Sequence, residues 1–216
     1  MGTITRSFAN NIGTSGILKA GAFNNASLNN VTALNAAIAT GNMVLISSQT
    51  ASNSASISFT TGIDSTYKEY QFWFINIAPR TDNVEFQFNL STDSGSNYNV
   101  TKTSSAHHAY HDEADTNTAL LYLGIGLAQS TGFQTMRAEL GNGADENTSG
   151  TLQLFNPSST TYVKHYMVNT SAYTYHNYNT NTFVAGYGNT TSAINAIQFK
   201  MSSGNFDGTI LMYGIK

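Results

Sequence analysis

The chain predicts an all-β protein: an antiparallel β-sandwich over residues 45–216, preceded by an extended N-terminal arm over residues 1–44. Bottom-up, the residues themselves predict a sandwich or barrel of roughly eight to ten strands, and three observations carry that expectation. Apolar residues recur at period two within short runs after residue 44. Clusters of Gly, Asn, Asp and Ser separate those runs as turn chemistry. No long helical period intervenes, which argues against βαβ units and a parallel nucleotide-binding sheet. A fixed-period repeat is absent, so a propeller or solenoid is disfavoured.

The arm comes first. Before Asp64 the chain has no acidic residue, and up to residue 44 its only charges are Arg6 and Lys19. Phe8, Ile12, Ile17, Leu18, Phe23 and Leu28 recur without a clean period, punctuated by paired asparagines. A segment with so little charge and so many apolar residues is expected to lie on a neighbour, so these six are the candidate anchor and assembly residues. Asn30 is placed to cap a short helix over residues 31–39, stopped by Gly41.

The body follows as strands. Residues 50–60 alternate weakly through Ala51, Ala55, Ile57 and Phe59. Residues 67–77 are the most apolar run, with Tyr70, Phe72 and Phe74 on one face and Trp73, Ile75 and Ile77 on the other. Such a strand is either covered on both faces or carries a bulge, and Pro79 ends it. Val84, Phe86, Phe88 and Leu90 alternate with Glu85, Gln87 and Asn89, which predicts one buried and one wet face. Residues 93–97 read as a turn, and 98–104 as the returning strand. Residues 120–127 are apolar but broken by Gly124 and Gly126. Further strands are expected over 151–155, 161–170, 173–178, 183–187, 193–201 and 209–215.

Composition narrows function. Nine Lys and Arg against twelve Asp and Glu give a net charge of −3, with 10% charged residues. That is no electrostatic footprint for nucleic acid. Asn, Ser and Thr supply about a third of the chain. Without cysteine there is neither a disulfide nor a thiolate metal site. No apolar run approaches a membrane span, and the start MGTITRSFANN lacks the pattern of a signal peptide.

The densest polar cluster is His107, His108, His111, Asp112, Glu113 and nearby Asp115. His107 and His111 would share a helix face, but no His-Glu-x-x-His motif accompanies them. On a strand they would sit about 13 Å apart, too far to chelate one ion. The carboxylates do not follow a calcium-loop spacing either. A loop or rim whose polar groups face solvent or a neighbouring subunit is therefore expected there, with no metal and no cofactor. No Gly-x-Ser-x-Gly elbow occurs, and carboxylate pairs such as Glu85 with Glu139 or Asp145 are not singled out. The expectation is a non-enzyme. Tyr173, Tyr175, His176 and Tyr178, flanked by asparagines, suit contact with a glycan or another subunit, or equally a strand covering the rim of the sandwich.

Several phrases together resemble a family of structural proteins from marine tailed bacteriophages. They are FWFINIAP at 72–79, DSGSNY at 93–98, AYHDE at 109–113, LFNPSSTTYVKH at 154–165, FVAGY at 183–187, NTTSAI at 189–194, GNFDGTILMYG at 204–214 and the Asn- and Gly-punctuated stretch 8–34. The resemblance implies a virion-surface component without enzyme activity, built from a jelly-roll-like domain and a short arm. It also implies partners among capsid or tail proteins and a homo-oligomer, most simply a trimer. A head decoration or short fibre subunit fits it first, and a tail-fibre or adhesin subunit binding host surface glycan second.

Overall fold

The computed structural model describes residues 42–216. Residues 1–41 of the arm, with its six apolar residues and the helix expected over 31–39, lie outside them, while Met43 and Val44 at the end of the expected arm already belong to the first strand. The described residues form twelve β-strands. In chain order these are β1 (Met43–Ser54), β2 (Ser56–Phe59), β3 (Glu69–Pro79), β4 (Val84–Ser91), β5 (Lys102–Asp112) and β6 (Thr118–Tyr122). They continue as β7 (Gln134–Leu140), β8 (Thr148–Phe155), β9 (Lys164–Tyr173), β10 (Tyr178–Gly188), β11 (Ala196–Met201) and β12 (Phe206–Ile215).

All pairings are antiparallel, and the strands make two sheets. One has eight strands in the order β1-β12-β3-β8-β9-β10-β5-β6, and the other has four in the order β2-β11-β4-β7. Their facing sides enclose a core rich in phenylalanine. Phe199 of the small sheet meets the rings of Phe59, Phe72, Phe74, Phe86 and Phe88 at centroid distances of 5.3–6.5 Å. Such edge-to-face and tilted contacts add to what burial alone contributes.

The period-two expectation holds through most of the body. Ile197, Phe199 and Met201 are buried, while Gln198 and Lys200 between them are half-buried. Lys164, Tyr166 and Val168 turn inward, and His165 and Met167 outward. In β3 the second of the two expected alternatives occurs. Asn76 takes a positive φ of 51° and the register against β8 slips between Phe74 and Ile77. This bulge corrects one assignment: Ile77 is fully buried with Tyr70, Phe72 and Phe74, while Trp73 and Ile75 stay exposed.

Other differences have local causes. The strand expected over 98–104 begins only at Lys102, and it then runs straight through the histidine cluster to Asp112. The strand expected over 173–178 is interrupted: Tyr173 ends β9, Tyr178 opens β10, and 174–177 form the turn between them, in which Asn177 N donates to Thr174 O with Asn177 at φ 61°. β7 escaped the sequence reading because Gln134, Thr135 and Arg137 are polar yet buried, which hides the alternation. Asn89 in β4 is buried rather than wet, since its amide donates to the carbonyls of Tyr98 and Thr131.

Candidate functional site

The two polar and aromatic clusters singled out by sequence lie some seventy residues apart in the chain, and the pairing of β5 with β10 brings them together. Asp112 faces Tyr178, His111 faces Asn179 and His107 faces Phe183 across the ladder. Because alternate residues point to opposite faces, this pairing also divides each cluster in two. His107, His111 and Tyr173 belong to the outward face, whereas His108, Asp112 and Tyr178 belong to the inward one.

On the inward side an open aromatic arrangement closes the end of the sheet. Tyr110 stacks on Tyr178 with centroids 5.2 Å apart and planes 10° from parallel. His176 lies 5.7 Å from Tyr178 and 3.8 Å from Tyr175. Deeper in, His108 is buried against Tyr110. Burial and, less strongly, the nearby Arg137 guanidinium lower its pKa, so it is neutral at pH 7. Expecting this region to be a solvent-facing loop was therefore wrong for His108 and Asp112, which period two turns inward on a continuous strand.

Asp112 has a structural task. Its carboxylate accepts from Thr116 N and Asn117 N at 2.8 and 3.0 Å, and from the Thr116 hydroxyl and Asn117 amide as well. Those bonds hold its pKa well below the usual carboxylate range and fix the turn between β5 and β6. His111 Nδ1 donates to the Asp112 carbonyl at 2.7 Å, and its Nε2 lies 3.1 Å from the exposed Asp115. Glu113 is exposed. Tyr173 donates its hydroxyl to Asn177 Oδ1 at 3.0 Å and so braces the neighbouring turn.

Three basic side chains that sequence reasoning gave no role are fully buried: Lys102, Arg137 and Lys164. Arg137 Nη1 donates to Thr182 Oγ1 at 3.1 Å, and Nη2 stands 3.5 Å from Glu139. Burial pulls its pKa down to about 10, leaving it cationic at neutral pH. Lys164 Nζ donates to the carbonyls of Tyr162 and Thr190. For Lys164 the placement of Tyr166 and Val168 on the same face was a usable signal; for Arg137 no sequence signal existed.

The outward face of the large sheet is a second feature that sequence reasoning missed. One register row crosses all eight strands: Ser48, Leu211, Trp73, Thr151, Asn169, Phe183, His107 and Tyr122. Beside it runs a second row of Leu45, Tyr213, Gln71, Gln153, Met167, Ala185 and Ser105. Neither row contains a charged carboxylate, lysine or arginine. At their centre lies a shallow depression of about 240 Å³ lined by Thr151, Gln153, Met167, Val168, Asn169 and Phe183.

Of the carboxylates weighed for catalysis, Glu139 stands beside Arg137 Nη2, and Glu85, like the loop residue Glu146, holds local structure. Glu85 accepts from Gln87 and Thr135 at 2.7 and 2.6 Å, and Glu146 accepts from Gly143 N at 2.6 Å. Among the described residues no three His, Asp or Glu side chains converge to hold a metal ion. No protein-family model, curated protein or solved structure matches this chain.

Proposed function

We propose that the protein is a non-enzymatic structural component of a tailed-bacteriophage virion, exposing its β-sandwich at the particle surface while residues 1–44 anchor it to capsid or tail subunits. The observation that carries this reading is the strand order. With the hairpins β5–β6 and β9–β10 set aside, the other eight strands pair as first-last-third-sixth and second-seventh-fourth-fifth. We read that nested order as the double Greek key of a jelly roll, an architecture used by viral capsid and lectin domains. The two hairpins then read as extensions widening one sheet.

Assembly into a homo-oligomer, a trimer in the simplest case, draws support from β6, which is an edge strand of the large sheet among the described residues. Leu120 and Tyr122 are each 73% exposed there. Residues 117–130 contain no charged residue. Lone sheet edges in soluble proteins are normally protected by charge, proline or a covering segment, and an apolar, uncharged edge suits pairing with another chain. A head decoration or short fibre subunit is the placement this combination fits best.

The test is to purify particles of the encoding phage on a density gradient and label them with an antibody against residues 45–216. Label on the head shell or on the tail is the expected result, and its position decides between decoration and fibre. Particles lacking the protein altogether would overturn the reading. A chain lacking residues 1–44 is expected to be lost from particles, and its full incorporation would remove the anchor role.

A second reading, a tail-fibre or adhesin subunit contacting host surface glycan, is favoured by the contiguous rings of Tyr110, Tyr178, His176 and Tyr175 at one end of the sheet. Host-cell binding that survives Tyr175→Ala and Tyr178→Ala would remove that contact site.

A further inference from the structure

We infer that the depression at the centre of the outward sheet face is a binding site for a neutral oligosaccharide. It is separate from the Tyr175–Tyr178 cluster and independent of where the protein sits on a particle. The site is walled on one side by Phe183, which is backed by the parallel ring of His107 at 5.5 Å. Three strands away stands Trp73, 38% exposed and held by Tyr213 at 5.5 Å and by an indole donation to Gln71 Oε1 at 3.2 Å. Three strand spacings make about 14 Å, room for two pyranose rings laid side by side between the aromatic walls.

The floor supplies what sugar hydroxyls need. Gln153 and Thr151 make no side-chain hydrogen bond to any described residue, and Asn169 uses only its Oδ1, which accepts from Asn181 at 2.8 Å. Amide and hydroxyl groups that both donate and accept are thereby left facing outward beside an aliphatic surface from Met167. A pyranose presents the matching pair of surfaces, an apolar C–H face and a rim of hydroxyls that donate and accept. Aromatic walls with a few placed polar groups are the usual composition of a small-ligand site. The absence of Lys and Arg from the two rows removes the partners that carboxylated or sulfated sugars would require, so a neutral glycan is the class selected.

Trp73 is the only tryptophan in the chain, so its emission reports on this wall alone. The full chain is applied to a printed array of neutral and acidic glycans, and the strongest neutral oligosaccharide is then titrated in soluble form. Retention of neutral glycans with a shift in Trp73 emission is expected. Affinity should fall at least tenfold in Gln153→Ala and in Phe183→Ala, and stay unchanged in Tyr178→Ala. Gln153→Ala removes no side-chain hydrogen bond to a described residue, so its melting temperature should match the parent and separate lost binding from lost folding. Retention of acidic glycans only, no retention at all, or affinity unchanged in both outer-face variants would overturn the site. A change in sedimentation of the glycan-free protein on Phe183→Ala, without glycan binding, would assign the face to a second copy and overturn it equally.

Discussion

The Lys102 ammonium donates to Asn89 Oδ1 deep inside the sandwich, with the Val100 carbonyl as its second acceptor at 2.7 Å. Neutral oxygens thus hold a fully buried amine, and burial pulls its pKa down to about 7. Unfolding returns the amine to water, where it holds its proton up to about pH 10.4.

Stability should therefore rise with pH between about 7 and 10, because in that window the unfolded chain binds a proton that the folded chain has shed. The slope for one proton is at most about 1.4 kcal/mol per pH unit. Lys164, whose pKa burial also lowers, acts with the same sign. The buried hydroxyls of Tyr166 and Tyr70 have raised pKa values and oppose the rise only where tyrosine ionises in the unfolded chain. Melting temperatures recorded from pH 6 to 10 should climb for the parent and climb less steeply for Lys102→Met, which keeps only the Lys164 contribution.

Phe199→Ala should cost about 3–5 kcal/mol, the range for truncating a large aromatic core residue. Five phenylalanine rings surround it, from both sheets, so the cavity cannot close by moving one neighbour. Denaturant midpoints measure the loss, and a cost under 1 kcal/mol would contradict the packing described.

Gly150 on β8 sits where a Cβ would strike the Asn169 carbonyl oxygen and come within 2.7 Å of Thr170 Cα on β9. Both are backbone atoms, so the strands themselves would have to part. Gly150→Ala is expected to destabilise by about 1–3 kcal/mol, as overpacking does. Gly124→Ala meets nothing within 4 Å and should stay within about 0.5 kcal/mol of the parent. Thermal melts of the two variants make the comparison.

Asp112→Ala should loosen the β5–β6 turn while leaving the core intact. Hydrogen exchange at Thr116 and Asn117, whose amides donate to that carboxylate, should speed up. Because the Asp112 pKa is depressed, its contribution is present above about pH 4 and fades as the pH falls through the lower folded value. Protection factors of the same amides in the parent protein, referenced to intrinsic exchange at each pH, should fall at acid pH and approach those of the variant.

Much of the fold was legible because period two reports directly which face of a strand is buried. The runs through Phe86 and Phe88, through Tyr166 and Val168, and through Phe199 and Met201 all point as read. The reading lapsed where polar side chains are buried, as with Arg137 and Thr135 in β7, since alternation then carries no contrast. It lapsed again at Asn76, where one extra residue reverses the pattern and moves Ile77 to the core.

What the sequence by itself determined is local: an all-β body, the position of most strands, several turns, and the inward face of those strands whose apolar and polar residues alternate. Which strand lies beside which was decided only by the tertiary structure, because alternation says where a side chain points and nothing about its neighbour. The meeting of Asp112 with Tyr178, and the row from Trp73 through Asn169 and Phe183 to His107, depend on ladder register between strands distant in the chain. Register is set by the fit of two whole faces and their bulges, and the candidate sites exist only once it is set.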